Sequence, residues 1–169
     1  MKRYFSISLR RWVISKIMSA LPLTRFYAFK RVLLNFANVY TSKNVRVVSN
    51  ARFYGIGDIT IGSNSFIGHE VLIVAATEPV IIGDNVDIGP RVCIVNGSHY
   101  IGSERRAGIG YSKKIVIGSG TWIGACAVIV AGVQIGERSV IGAGSVVVKD
   151  IASSILVAGN PCKFIKTLE

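Results

Sequence analysis

An aliphatic residue recurs at six-residue intervals along most of the chain. It opens units at Ile61, Ile67, Ile73, Ile82, Ile88, Ile94, Ile117, Ile123, Ile129, Ile135, Ile141 and Val147. The residue that follows each opener runs Gly, Gly, Val through every group of three units, so the true period is eighteen. A fixed internal period indicates stacked repeats, in which each unit buries its apolar face against the next unit.

Six residues are enough for one short strand and one corner, and three such sides close a triangular coil. The residue four places after each opener is small or β-branched, which fits the space near a corner. Glycine beside the opener suits tight backbone packing or a positive φ. Because two sides carry glycine and the third carries valine, the pattern predicts three faces that are not equivalent.

Several motifs within the later repeats and just after them carry a family resemblance. They are Trp122-Ile123-Gly124, Gly132 to Gly136, Val140 to Val147, Lys149-Asp150 and Ala158-Gly159-Asn160-Pro161. Together they resemble the hexapeptide-repeat acyltransferases over roughly residues 45 to 166, in the sugar O-acetyltransferase branch that includes maltose, galactoside and exopolysaccharide enzymes. The resemblance implies an all-β fold, a left-handed parallel β-helix. The hand comes from the resemblance, because parallel crossovers are normally right-handed.

Charge divides the chain into residues 1–44, a basic amphipathic helical segment, and residues 45–169, the β-helix domain. No acidic residue precedes Val47, whereas ten basic residues do: Lys2, Arg3, Arg10, Arg11, Lys16, Arg25, Lys30, Arg31, Lys43 and Arg46. Neither a membrane-spanning helix nor a signal peptide fits, and two helices divided near Pro22 are predicted. Two interpretations stay open: capping of the coil alone, or capping plus membrane contact through residues 1–40. Nucleic-acid binding is not expected, since no motif accompanies the charge.

The six-residue register breaks at two places. Three extra residues lie around Glu78-Pro79-Val80, and a loop insertion occupies residues 100–116. A solenoid accepts insertions at its corners, so both segments are predicted to project, and the longer one, which contains Tyr111, to be mobile.

His99 ends the last unit before the longer insertion. Acyl transfer to a hydroxyl needs a base that works near neutral pH, and histidine provides one. The resemblance places the catalytic histidine at this point; the alternative is a turn histidine that caps the coil. His69 matches a polar acceptor-binding position of the maltose and galactoside branch, and Thr77 matches a second one, but neither identity is kept. His69 is thus an acceptor contact or a solvated residue.

No metal site is expected, because the zinc of the γ-class carbonic anhydrases, which share this fold, takes three histidines and this chain has two. Cys93, Cys126 and Cys162 lack C-x-x-C spacing, which favours a reducing compartment without a disulfide framework.

The resemblance also implies acetyl-CoA as acyl donor. It places Ala125 and Ala143 along the pantetheine arm, Lys149 with Lys163 or Lys166 near the nucleotide phosphates, and Trp122 as a wall of the substrate pocket with Tyr111 and His69 nearby. The relatives are homotrimers with active sites between subunits, and the third face is a candidate for that packing.

The sequence therefore predicts an acetyl-CoA-dependent O-acetyltransferase acting on a sugar hydroxyl, in capsule, exopolysaccharide or O-antigen synthesis. His99 would be the general base and a carbohydrate the acceptor. The expected location is cytoplasmic, with a peripheral position at the inner face of the plasma membrane if residues 1–40 contact lipid. Two alternatives are kept: N-acetylation of an amino sugar, small amine or serine, and a non-catalytic β-helix scaffold.

Overall fold

The computed structural model describes residues 2–102 and 107–169, and most of them form a three-sided parallel coil. Sheet 1 contains β1 (Val39–Thr41), β4 (Ile59–Ile61), β7 (Val80–Ile82), β12 (Ile115–Ile117) and β15 (Gln134–Ile135). Sheet 2 contains β2 (Arg46–Val47), β5 (Phe66–Ile67), β8 (Asp87–Ile88), β13 (Trp122–Ile123), β16 (Val140–Ile141), β18 (Ile155–Ala158) and β19 (Lys163–Thr167). Sheet 3 contains β3 (Arg52–Gly55), β6 (Leu72–Ala75), β9 (Cys93–Val95), β14 (Val128–Ile129) and β17 (Val146–Val147).

The six-residue openers form the core of this coil. Each of the twelve is 2% exposed or less, and equivalent openers pair directly, as Ile88 does with Ile123 and Ile123 with Ile141. The three predicted sides and their eighteen-residue period are therefore confirmed. Because each opener packs on the next, the apolar core runs along the whole axis of the prism.

Glycine beside the opener serves close packing. A Cβ at Gly62 or Gly124 would lie 2.4 Å or 2.6 Å from backbone atoms of the next coil, and neither residue has a positive φ. Positive φ falls two residues later, at corner positions such as Asn64 and Cys126. The sequence was compatible with either tight backbone packing or a positive φ at these glycines, and the backbone distances show that tight packing is the reason.

Two helices, α1 (Lys2–Ser19) and α2 (Tyr27–Phe36), form a cap over the first coil. Helix α1 packs on β3 and on α2, while α2 packs on β1 and β2. Since β1 starts at Val39, the first coil begins upstream of residue 45. Within the described part of the chain, no helix has the length and apolar character needed to cross a membrane.

Among the N-terminal cations whose side chains the structure describes, Arg11 and Lys30 are buried. Arg11 is 4% exposed, and its guanidinium donates to the carbonyl oxygens of five residues, which are Ala37, Asn38, Tyr54, Gly55 and Gly57. Burial lowers the pKa of Arg11 to about 10. These bonds satisfy carbonyl groups of the first coil, which has no earlier coil to bond with. Arg11 therefore caps the coil, and part of the excess of N-terminal cations has this structural role.

Lys30 is buried as well, and it donates to the Val47 carbonyl of the first coil at 3.4 Å. Its Nζ donates to the carbonyl oxygens of Pro22 and Leu23, at 3.0 and 2.8 Å, and burial lowers its pKa. Capping by the N-terminal helices is thus visible in the contacts. The side chains of Lys2 and Arg3 lie outside the described part.

The longer insertion forms an antiparallel hairpin over its described residues. Strand β10 (Gly97–Ile101) pairs with β11 (Ala107–Ser112), and the chain rejoins the coil at Ile115. The projecting loop predicted over 100–116 is thus a hairpin in its described residues, joined by backbone pairing and by the contact of the Tyr100 and Tyr111 rings, whose centroids are 4.5 Å apart. Residues 103–106 of the predicted loop lie outside the described residues.

Candidate functional site

His99 lies in the first strand of the hairpin, opposite Gly110. Its Nδ1 is 3.0 Å from the carbonyl oxygen of Gly108 on the second strand. A carbonyl oxygen only accepts, so in the neutral imidazole Nδ1 carries the hydrogen and Nε2 keeps a free lone pair. The ring is therefore held in the tautomer that a general base requires. The bond runs within the hairpin rather than to the coil.

The side chain of His99 lines an open cavity of about 340 Å³ where the two insertions meet. The other lining residues are Ala76, Thr77, Gly97, Ser98, Gly110, Tyr111 and Ser112. Both breaks in the repeat thus contribute walls to one cavity. Tyr111 lines this cavity together with His99, and Thr77 contributes to the opposite part of its lining from the shorter insertion.

Asn96 fixes this cavity and was missed by the sequence analysis. It is fully buried; its Oδ1 accepts from the Ala76 amide at 2.7 Å and its Nδ2 donates to the Glu78 carbonyl. Its own carbonyl accepts from the Lys113 amide at 2.9 Å. Asn96 therefore joins the short insertion to both ends of the hairpin. The sequence did carry a signal for it. Asn96 is a polar residue two places after its opener, where the next coil has Ala131.

Lys149 lies on the same edge of the prism as His99, the corner between sheets 3 and 1, which we call the His99 corner. The register of β9, β14 and β17 places Lys149 in the column of Asn96, two coils further on and about 10 Å along the axis. The side chain is exposed beside a cavity of about 310 Å³ that includes Val148 and Phe164. The Lys113 side chain packs over Gly132, between Asn96 and Lys149 along this corner.

His69, Ala125 and Ala143 share the opposite edge, between sheets 2 and 3, which we call the alanine corner. Each follows a strand of sheet 2 by two residues, and the Gly144 amide donates to the Ala125 carbonyl at 2.8 Å. A ring nitrogen of His69 lies 2.9 Å from Asn50 Nδ2, and its Nε2 lies 3.4 Å from the Glu70 carboxylate. None of the three lines the His99 cavity.

Trp122 and the two C-terminal lysines are also separate from His99 within one chain. Trp122 is 57% exposed on the outer face of sheet 2, paired with Asp87 and Val140. Lys163 and Lys166 are exposed on β19, in the hairpin with β18 that closes the far end of the sheet. The fold therefore brings His99, Tyr111 and Lys149 to one corner and leaves the remaining predicted residues on or beside sheet 2.

Sheet 3, which separates the two corners, has an apolar outer face from its second strand onward. Two rows face outward: Leu72, Cys93, Val128 and Val146, and Val74, Val95, Val130 and Val148. The second row is the valine of the Gly-Gly-Val order. Burial raises the pKa of Cys93 in the first row. No charged side chain interrupts this face between β6 and β17.

Known proteins of the same architecture match most of the chain. A family model described as "Bacterial transferase hexapeptide (six repeats)" matches residues 114–149, and one described as "Hexapeptide repeat of succinyl-transferase" matches residues 58–89. A solved galactoside acetyltransferase in complex with coenzyme A superimposes with a TM-score of 0.80 at 30% identity, over 96% of this chain and 81% of that one. The chain belongs to the hexapeptide-repeat acyltransferases. The predicted family and its left-handed β-helix are thereby confirmed.

Two further relatives of this hexapeptide-repeat acyltransferase bear on its chemistry. A Vibrio cholerae hexapeptide-repeat acetyltransferase complexed with acetyl coenzyme A has a TM-score of 0.77 at 27% identity, covering 96% of this chain and 87% of that one. The galactoside O-acetyltransferase of Escherichia coli is 44% identical over 116 residues, 68% of this chain and 56% of that protein. The chain spans little more than half the length of the curated relatives it matches.

Proposed function

We propose that this protein is an acetyl-CoA-dependent O-acetyltransferase that acts on a sugar hydroxyl. The observation that carries the proposal is the imidazole of His99 at a cavity of about 340 Å³: its Nδ1 is fixed by the Gly108 carbonyl, and its Nε2 has no hydrogen-bond partner among the described residues. The named activities of the galactoside and Vibrio relatives support the same reaction. The acceptor is a carbohydrate in this proposal, by analogy with the galactoside enzymes.

His99 would act as general base and then as general acid. Acetyl-CoA supplies a thioester carbonyl. The Nε2 of His99 accepts the proton of the acceptor hydroxyl while the acceptor oxygen forms its bond to the carbonyl carbon. When the carbon–sulfur bond breaks, the imidazolium returns that proton to the leaving thiolate, so the base is regenerated. The oxyanion formed between these steps would be stabilised by a backbone amide.

The residues along the His99 corner fit the donor's chemistry. Lys149 and Lys113 are exposed cations suited to phosphate, and Val148 and Phe164 offer apolar surface beside Lys149. Ala131, the small residue between Asn96 and Lys149 in their column, leaves room for a thin ligand to lie along the coil. Ala125 and Ala143 offer the same small side chains at the alanine corner.

We infer that a homotrimer completes the site. The predicted residues divide between two corners on either side of the apolar sheet 3, and no single chain brings them together. A heterologous contact through sheet 3 would put the alanine corner and Trp122 of one copy beside the His99 corner of the next. Burial of two rows of valine-rich surface would drive this association.

The biological placement we propose is synthesis of capsule, exopolysaccharide or O-antigen at the inner face of the plasma membrane, with residues 1–40 in peripheral contact. The acceptor would differ from free maltose or galactosides, because His69 and Thr77 replace the polar residues of that branch. Thr77 lines the cavity directly, which makes it the closer of the two to a bound hydroxyl.

The test is thiol release from acetyl-CoA with a panel of sugars, glycan fragments and amines, alongside the molar mass in solution. We expect acceptor-dependent thiol release with hydroxyl acceptors and the mass of three chains. Transfer to amines alone would replace the proposal with N-acetylation. No turnover with any acceptor and no binding of coenzyme A would leave the scaffold interpretation.

A further inference from the structure

The helical cap carries a second apolar surface that faces away from the coil. Residues Ile7, Ile14 and Met18 of α1 are buried on the first coil. At 100° per residue, the opposite side of the same helix carries Leu9, Trp12, Val13 and Ile17, which are 40–58% exposed. Helix α2 repeats the arrangement, with Leu34 buried and Phe29, Val32 and Phe36 50–66% exposed. Two helices with apolar surface on both sides are unusual for a solvent-facing cap.

The charge around this surface has one sign. No acidic residue precedes Asp58 in the chain. Arg11 and Lys30 are used internally, and Arg10, Lys16 and Arg25 remain exposed beside the apolar residues. The Lys16 ammonium lies 5.9 Å from the centre of the Trp12 ring, so an aromatic anchor and a cation occupy one exposed patch.

We propose that the outer face of the cap, formed by Leu9, Trp12, Val13 and Ile17 with Phe29, Val32 and Phe36, docks on an anionic lipid bilayer. Apolar side chains of this size gain free energy by entering the acyl boundary, and Trp prefers the interface itself. The surrounding cations match the anionic headgroups of the cytoplasmic leaflet. This inference deepens the membrane placement in the proposed function and rests on it.

A second copy of the chain fits this surface less well. Two caps packed face to face would oppose cation with cation, and such juxtaposition is costly. Nucleic acid would satisfy the cations but would leave the apolar side chains in water. In a cyclic trimer all three caps lie at the same height along the symmetry axis, so one flat surface could engage them together and gain avidity.

The experiment is co-sedimentation of the full chain with two kinds of vesicle. One is made of neutral lipid, and the other contains neutral lipid with about 30% anionic lipid. We expect binding to anionic vesicles that weakens as salt rises. The variant Trp12→Glu/Ile17→Glu should bind at least about tenfold more weakly, since it places two carboxylates at the bilayer. Its matched control is Phe164→Glu/Ile165→Glu, which changes an aromatic and an aliphatic residue of similar exposure on the C-terminal hairpin and should bind like wild type.

A charge variant checks the electrostatic part while every apolar side chain of the face is kept. Lys16→Gln should weaken binding about fivefold and Arg138→Gln, in a corner of a distant coil, should not. Failure of the wild type to bind either vesicle would overturn the proposal, as would equal losses in both double variants. A fall in molar mass in Trp12→Glu/Ile17→Glu would assign the face to contact between copies instead. Because sedimentation needs no turnover, an inactive protein that binds would count against the enzyme proposal alone.

Discussion

The uninterrupted coil and the His99 corner are built from the same chain by opposite means. In the coil, an opener such as Ile129 is buried between equivalent residues, and backbone groups bond from coil to coil in register. At the His99 corner the register is lost, and side chains replace the ladder: Asn96 bonds to both Ala76 and Glu78. The regular part fixes position, while the irregular part exposes polar groups to a cavity.

This difference predicts that stability and activity separate by region. Substitutions in the coil should lower the free energy of unfolding and leave the chemistry of folded molecules intact. Substitutions in the cavity should lower activity and leave the free energy of unfolding nearly unchanged. A residue that joins the two regions should affect both stability and activity. The predictions that follow try to break that division.

The largest expected effect is at His99. His99→Ala should lower acetyl transfer by about 10²- to 10⁴-fold, the usual contribution of a positioned base. The side chain is exposed, and its one hydrogen bond to the described residues lies within the hairpin, so thermal midpoint and molar mass should stay at wild-type values. Steady-state kinetics and a thermal melt are the measurements. Wild-type turnover in this variant would remove His99 as the base.

The next effect is the converse one, in the coil. Ile129→Ala should lower the free energy of unfolding by about 2–5 kcal/mol, because it leaves a cavity in the stacked core. Ile165→Ala changes the same residue type at 54% exposure and should cost less than about 0.5 kcal/mol. Denaturant titration gives both values. A core substitution that left stability intact but abolished turnover would break the proposed division.

Sequence reasoning was strongest where the chain repeats. The openers gave three sides, their burial and the non-equivalent third face, since a period constrains every coil at once. It was weakest where one residue acts alone. Arg11 and Lys30 look like surface cations in the sequence, yet they satisfy carbonyls of the first coil. Ala125 and Lys149 follow openers on different sides of the prism, so the period already separates them within one chain. Which corner of one copy meets which corner of another is not contained in a single sequence.

Asn96 tests the junction of the two regions. Asn96→Ala leaves the Ala76 amide and the Glu78 carbonyl without their partner, which costs about 1–3 kcal/mol for each unsatisfied buried group. A displaced wall should also lower kcat by about ten- to hundredfold, since catalysis tolerates little misplacement. Ser65→Ala is the matched control: Ser65 is equally buried and bridges Gly83 to Val86 within the coil. It should lose stability with little change in kcat.

Both variants are compared well below their thermal midpoints, with kcat and KM determined per folded molecule. An equal kcat for Asn96→Ala and Ser65→Ala would mean that Asn96 supports the fold only. Because Asn96 acts through the cavity wall, KM for the acceptor should rise more than KM for acetyl-CoA.

Lys149 should give a smaller and more selective effect. An exposed charge contributes about 1 kcal/mol or less, so Lys149→Ala should raise KM for acetyl-CoA about two- to fivefold and leave kcat unchanged. Lys43→Ala, an exposed lysine at the first coil, should change neither. An increase confined to the acceptor KM would mean that the donor and acceptor run along the His99 corner in the opposite direction.

The smallest expected effect belongs to a charged pair on a regular corner, Glu70 with Arg91. The Arg91 Nε lies 2.7 Å from the Glu70 carboxylate and lowers the pKa of Glu70 below its ordinary value of 4.5. A folded state with a lowered carboxyl pKa binds fewer protons than the unfolded chain, so this stabilisation is complete above pH 4.5 and is lost as pH falls through the folded pKa. Glu70→Gln should therefore melt slightly below wild type at pH 7, and the two melting curves should converge in acid or at high salt. A gap that stayed constant down to pH 3 would assign the difference to packing at the corner. A large gap at neutral pH would show that regular corners depend on their charges as well as on their backbone register.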